Sequence, residues 1–342
     1  MIGAGYFSIH KNEAETDVFP DPFDPDPFNP TLPPMVITLP STKKNIRHAN
    51  YYLYTYIAVP KNVTFTVGGS ADSLSGGLED KDQFNPKFGV TWKPVPDTTI
   101  RAAYFRTLKR TLITNQTIEP TQVAGFNQFF DDADSTESWR RGVAIDQKFS
   151  ANIFGGVEYS RRDLTVPIEY TDVSLVTEVR HSDWDEKTGR AYLYWTPDNW
   201  VSLSAEYQCE QFERGTEFSG STGSERVKDV KTQRVPLGVN LYLPAGLSAM
   251  VKATYYDQKG EFQPQGAAGF DPLTGSPVFV SGQDNFWLFD AAISYRLPRR
   301  YGMITIGAKN LFDKSFQYAD MDPVSPATQP KRFLYARATV AF

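Results

Sequence analysis

No stretch of 18 or more consecutive apolar residues occurs among the 342 residues, which excludes a membrane-spanning helix. Strands cross a bilayer with alternating apolar residues, so this absence does not bear on a β-barrel. Cysteine is almost missing. Cys209 stands alone, which rules out an internal disulfide and any Cys/His zinc spacing, and it reads as a small apolar strand residue. Basic charge is not in excess: 35 Lys and Arg against 40 Asp and Glu leave a net charge of -5, which argues against a nucleic-acid partner. The opening MIGAGYFSIHKNE has no basic region followed by an apolar block, so it is not a secretory signal. No glycine-rich phosphate loop follows a strand and opens a helix; Gly68-Gly69 and Gly76-Gly77 sit in or beside strand-like segments and ease bends there.

What is present is period-two alternation and aromatic side chains. Tyr (18) and Phe (24) are abundant, and hydrophobic residues make up only 40% of the chain, a balance that suits a barrel with one lipid-facing and one polar face. Val201, Leu203, Ala205, Tyr207 and Cys209 alternate with Ser202, Ser204, Glu206, Gln208 and Glu210. The same pattern recurs from Val235 to Leu243, from Leu247 to Tyr255 and from Trp287 to Leu297. Short turns rich in Pro, Gly, Asn and Asp fall near residues 60–62, 94–97, 150–152, 197–199, 244–246 and 298–302. Long polar connections alternate with them, near 13–44, 73–84, 111–137, 164–186, 214–231, 260–285 and 313–332. Short turns at one rim and long loops at the other describe an up-and-down transmembrane barrel of the outer-membrane type. Fourteen strands are expected in a single domain spanning 1–342, starting near 2, 63, 98, 153, 200, 247 and 303 and returning near 45, 85, 137, 186, 233, 286 and 333. Pro167 to Tyr170 and Val173 to Val179 leave room for the fourth hairpin to extend outward. DVFPDPFDPDPFNPTLPP, from Asp17, is expected to form neither strand nor helix and reads as a surface loop or an extracellular lid.

The polar faces nominate the residues that line a lumen. Arg101, Glu158, Glu206, Lys252, Asp290, Arg296 and Lys309 all lie opposite the apolar positions of their strands, giving a lumen of mixed sign. They serve either as a ligand-contacting surface or as ordinary cross-strand pairs. Catalysis finds little support: Ser8 and His10 share a strand face with His48 on the next strand, but no third group completes a nucleophile and base. Asp131, Asp132 and Asp134, or Asp183 and Asp185, lack the spacing of a calcium loop and read as solvated charge. The sequence thus indicates no cofactor, no metal and no enzyme.

Several segments resemble TonB-dependent outer-membrane receptors. Phe333-Leu-Tyr-Ala-Arg-Ala-Thr-Val-Ala-Phe342 resembles the C-terminal strand that barrel assembly machinery reads, with Leu334, Ala336, Ala338, Val340 and Phe342 on one face. Asn310-Leu-Phe-Asp-Lys314 is similar to a segment common in the penultimate strand of that family. Phe88-Gly-Val-Thr-Trp-Lys-Pro, Thr99 to Arg106, Ile118-Glu-Pro-Thr121 and Glu137 to Val143 continue the likeness, which covers about Asn85 to Phe342. The loop Thr111 to Thr117 is similar to one in barrels attached to tetratricopeptide-repeat proteins.

The resemblance implies that the chain is the C-terminal part of a barrel of 22 strands with a plugged lumen, as such transporters are built. The plug and the TonB-contacting segment are missing from this sequence, so it is expected to be either a fragment or a smaller barrel related by descent, and its start inside an alternating strand at Ile2 favours the fragment. By that likeness the parent imports a scarce ligand across the bacterial outer membrane, with outer-membrane lipid as its surroundings and the TonB complex acting through the missing plug. Two alternatives belong to other classes: a passive porin-like channel, and a membrane anchor for a periplasmic repeat region.

Overall fold

The computed structural model describes residues 1–13, 16–19, 35–38, 42–110, 119–128, 132–171, 177–215, 227–264, 271, 278–320 and 331–340. In chain order its strands are β1 (Ile2–Glu13), β2 (Thr16–Phe19), β3 (Met35–Thr38), β4 (Thr42–Ile57), β5 (Val63–Ser75) and β6 (Lys81–Val95). Next come β7 (Thr98–Leu108), β8 (Gln122–Val123), β9 (Phe126–Asn127), β10 (Glu137–Lys148), β11 (Ile153–Thr171) and β12 (Thr177–Asp198). The remainder are β13 (Val201–Arg214), β14 (Val227–Tyr242), β15 (Leu247–Phe262), β16 (Val280–Arg296), β17 (Gly302–Lys309) and β18 (Phe333–Val340).

Fourteen of these form one sheet in the order β1-β4-β5-β6-β7-β10-β11-β12-β13-β14-β15-β16-β17-β18, every neighbour antiparallel. β2 with β3 and β8 with β9 make two small hairpins outside it. The fourteen-strand antiparallel meander expected from the alternation is therefore present. Among the described residues no pairing joins β1 to β18, so these are the two edges.

The pleat sends the two residue types to opposite faces. One face carries large exposed hydrophobic side chains, among them Leu334 (69%), Ile306 (66%) and Ile293 (60%). In water such a surface would be an aggregation site; in lipid it is the solvated surface. Tyr104 and Trp139 stack at 5.0 Å, and Tyr255 lies 5.4 Å from Trp287, on this same outer face. Outward aromatic pairs of this kind suit a membrane boundary. The other face is polar and is the inner one.

Three expectations are corrected. β11 and β12 have 19 and 22 residues, so the pair extends well into the segment 164–186, where the sequence pattern indicates a loop. The extension persists because Leu164 and Val166 keep the inward alternation and pack with Trp184 and Phe212. β14 and β16 also start earlier than expected, at Val227 and Val280. Asp17, Val18 and Phe19 of the proline-rich segment belong to β2, because pairing with Ile37, Val36 and Met35 supplies their ladder. The rest of that segment, residues 20–34, lies outside the described residues.

Ile293→Arg, on the lipid face of β16, is expected to cost about 2–4 kcal/mol, whereas Ser294→Arg on the inner face should cost far less. Urea unfolding of the chain folded into vesicles measures both.

Candidate functional site in the barrel interior

The inner face divides into a packed half near the long loops and an open half near the short turns. In the packed half, the short hairpin of β8 and β9 folds against the wall. Its central residues Ala124 (φ 46) and Gly125 (φ 85) both have positive φ, which a type I′ two-residue turn requires. The wall has been cleared to receive it. A Cβ at Gly89 would lie 2.8 Å from the Ala124 Cβ, and one at Gly142 would collide with the Phe126 ring. Glycine within a strand commonly marks such a close approach by another segment. Val123 and Phe126 then join Tyr54, Ala103, Phe105 and Ala144 in one buried cluster.

Both ends of this hairpin are fastened to the same wall residues. Glu119, before it, accepts a hydrogen bond from the Tyr54 hydroxyl at 2.6 Å, pairs with Lys87 at 3.6 Å and pairs closely with Arg110. Gln128, after it, donates to the Tyr54 hydroxyl at 3.1 Å and accepts from Lys87. Arg110 also meets Asp72 at 3.1 Å, and Asp72 accepts from Asn50 (2.8 Å) and Asn85 (2.7 Å) and bonds His48 (2.9 Å). Lys87 and Glu119 are each 1% exposed in their side chains, so neither charge has water to fall back on.

A second segment, residues 313–320, returns onto β15 and β16. The Asn310 side chain clamps the Lys314 backbone at both N–H and C=O (2.9 Å each), which makes the Asn310 to Lys314 motif a turn. Gln258 then accepts from the Ala319 N–H and donates to its carbonyl, both at 2.8 Å. Phe316 stacks on Phe286 at 4.3 Å, and Tyr318 meets Tyr256 edge-on at 5.7 Å. Burial pushes the Tyr318 hydroxyl up to about 12, so it stays neutral. Between these two segments, Leu164, Val166, Trp184, Phe212, Val227 and Val230 form a second apolar cluster, with Ala133 and Ala319 against it.

All seven sequence-nominated lumen residues fall on the inner face, mostly in the open half. Arg101 pairs with Asp146 (2.8 Å) and Glu158 (3.1 Å), and its guanidinium lies 5.3 Å from the centre of the Phe126 ring, so it touches the hairpin. Glu206 pairs with Arg190 at 3.1 Å. Asp290 faces Lys252 across the ladder and accepts the Asn310 N–H at 3.0 Å. Arg296 and Lys309 lie on the same face near β17 and β18, through the pairs Arg296 with Met303 and Lys309 with Phe333. The structure therefore does not gather the seven into one site; they spread around the wall in local pairs.

The Ser/His arrangement is not formed. Ser8 pairs with Arg47 and His10 bonds Asn45 on the outer face, whereas His48 faces inward on the other side of the sheet, opposite Phe7. Asp132 pairs with Arg162, Asp185 with Arg161, and Asp183 accepts from Thr165, so these carboxylates are engaged by cations or a hydroxyl; Asp131 and the loop Thr111 to Thr117 lie outside the described residues. Leu334, Ala336, Ala338 and Val340 share the outer face of β18, and Phe342 lies outside the described residues. The network of Tyr54, Asp72, Lys87, Arg110 and Glu119 was not anticipated. Its one sequence signal is Gln122-Val-Ala-Gly-Phe-Asn127, a two-residue turn flanked by alternating residues inside what otherwise reads as a loop.

Glu119→Gln leaves Lys87 and Arg110 short of a buried counter-charge and is expected to cost about 3–5 kcal/mol. Limited proteolysis should then cut between residues 119 and 128 in the variant while sparing them in the parent chain.

Residues 3–130 match the family described as TonB dependent receptor-like, beta-barrel. No curated protein matches the sequence. In fold the chain is similar to the outer membrane transporter YddB from Escherichia coli, with 13% identity and a TM-score of 0.62, covering 100% of this chain and 51% of that one. It is also similar to the FrpB iron transporter from Neisseria meningitidis, with 12% identity and a TM-score of 0.60 over 80% of this chain and 42% of that one. The ferric-catecholate import receptor Fiu from E. coli K12 gives 13% identity and a TM-score of 0.57, over 100% and 52%. The chain spans about half or less of the length of these structures. An exposed apolar outer face, a polar inner face, the sequence match over 3–130 and the shared fold agree: this is an outer-membrane β-barrel wall that resembles the barrel of TonB-dependent receptors.

Proposed function

We propose that the chain is the C-terminal wall of a receptor that imports a scarce ligand across the outer membrane, the remaining strands and a plug coming from elsewhere in the parent polypeptide. The observation that carries this reading is the division of the inner face. The half near the long loops is packed by the 119–128 and 313–320 segments. The half near the short turns presents Glu158, Glu206, Lys252, Asp290, Arg296 and Lys309 to the interior, with Arg101 at the border against the hairpin. A surface of paired charges and hydroxyls suits a polar domain that must dock and then move, since mixed charge gives register without tight apolar adhesion. The TonB complex would act through that domain. Iron chelates are a candidate cargo class, because the FrpB and Fiu structures bear iron-related names. On the same reading Leu334, Ala336, Ala338, Val340 and Phe342 form the signal for barrel assembly.

A passive porin is disfavoured by the hairpin of β8 and β9, which occupies interior space and is fixed at both ends. Deleting the parent gene should slow growth on chelated iron as much as deleting the energising complex, with no further loss in the double deletion. Normal growth on each scarce nutrient tested, together with steady ohmic conductance of the chain in a planar bilayer, would favour the porin instead.

A further inference from the structure

Where the 119–128 hairpin meets the wall, a primary amine, a carboxamide and a carboxylate stand together, and these are the three groups from which an amide bond can be made. Lys87 Nζ donates to the side-chain oxygen of Gln128 and, at 2.5 Å, to the Arg106 carbonyl. It lies 3.6 Å from a carboxylate oxygen of Glu119. The Gln128 carboxamide is oriented from its other end: its NH2 donates to the Tyr54 hydroxyl at 3.1 Å and to the Pro120 carbonyl at 2.5 Å. The amine therefore meets the oxygen side of the carboxamide, beside its electrophilic carbon.

The surroundings exclude water. Tyr54, Lys87, Glu119 and Gln128 are all buried, the Phe105 ring centre is 5.7 Å from Nζ, and Tyr54 and Phe105 pack with Phe126 in the apolar cluster alongside. In such a site a proton passed from the ammonium to Glu119 removes two buried charges at once and leaves an amine with a free lone pair. Arg110 keeps a counter-charge when this happens, because it also pairs with Asp72 at 3.1 Å. Holding amine and carboxamide in contact replaces a bimolecular encounter with an intramolecular one.

A proton path joins the carboxylate to the nitrogen that would leave. The Tyr54 hydroxyl donates to Glu119 at 2.6 Å and accepts from the Gln128 NH2. Glu119 thus reaches Nζ directly and Nε2 through one hydroxyl, the arrangement a proton carrier between the two nitrogens requires.

We propose that Lys87 and Gln128 become joined by an amide bond once the hairpin is seated. Glu119 takes a proton from the ammonium, and the neutral Nζ adds to Cδ of Gln128. Glu119 delivers its proton through Tyr54 to Nε2 and takes the second proton from Nζ, so that the Nζ–Cδ bond is kept and the Cδ–Nε2 bond breaks. Ammonia departs with the proton that Glu119 then holds, which releases ammonium and restores the Glu119 carboxylate opposite Arg110. The reaction needs no oxidant, reductant or cofactor. The bond ties positions 41 residues apart, and it keeps the hairpin in its seat whatever else moves in the interior. It is independent of whether the parent protein imports a ligand.

Intact-mass measurement tests this on the full chain, unfolded in urea and then folded into phosphatidylcholine vesicles. The unfolded chain should have the mass of its sequence, and the folded chain should be lighter by one ammonia. Trypsin should then yield a branched peptide that joins the Lys87 and Gln128 segments and is uncut after Lys87. K87R and Q128A should each keep the full sequence mass on folding. E119Q should do the same; if it does not fold, Y54F, which retains the amine, the carboxamide and the carboxylate, should slow the loss of ammonia by roughly tenfold or more. A folded parent chain that retains its sequence mass overturns the bond. A loss of ammonia that persists in K87R belongs to another amide and overturns it equally, and an unchanged rate in Y54F overturns the proton path.

Discussion

Everything in this wall depends on the antiparallel ladder. In lipid there is no water to satisfy an exposed N–H or C=O, so each strand must complete its hydrogen bonds with its neighbours. Once strands are paired, the pleat leaves no choice about direction: a residue faces lipid or the interior according to its parity. The same constraint sends Ile293 and Ile306 out to the bilayer and Asp290 and Lys252 inward, without any side chain deciding it. It also explains why Ser8 and His48 point to opposite faces although their strands are adjacent.

The interior follows from what the ladder leaves unoccupied. A polar inner wall is tolerable where solvent reaches it, but the long-loop half is covered. There the wall gives up side chains at Gly89 and Gly142 so that a foreign hairpin fits, and it sets buried charges against one another to hold that hairpin. Buried ion pairs add little net stability, because desolvation offsets most of the attraction. Their effect is geometric: Glu119 satisfies Tyr54 and Arg110 from one position along the chain, which selects one seat for the hairpin. Aromatic stacking does the equivalent for the 313–320 segment, where Phe316, Phe286, Tyr256 and Tyr318 form a continuous set of contacts.

Much of the strand pattern was legible because alternation is a local property. The expected starts near 63, 98, 153, 247 and 333 agree with Val63, Thr98, Ile153, Leu247 and Phe333. The ends toward the long loops were harder to read. Residues there leave the bilayer, so the apolar half of the signal fades while pairing continues, as at Thr165 with Asp183. Inner-face membership of Arg101 and Glu158 was legible by parity, but their meeting through Arg101 was not, since it requires β7, β10 and β11 to be neighbours in a particular register. Lys87 and Glu119 are 32 residues apart and share no local pattern.

The sequence by itself determined the class of solvent this protein meets on each side. Alternation, turn residues and aromatic content are read over a few neighbouring positions, and they suffice for an antiparallel barrel wall with one lipid face. Tertiary structure alone decided which residues act together. Register set Arg101 beside Asp146 and Glu158, and chain reversal laid residues 119–128 against the inner wall. Both outcomes depend on contacts between residues far apart along the chain, whose geometry is set by the whole sheet and not by any local preference.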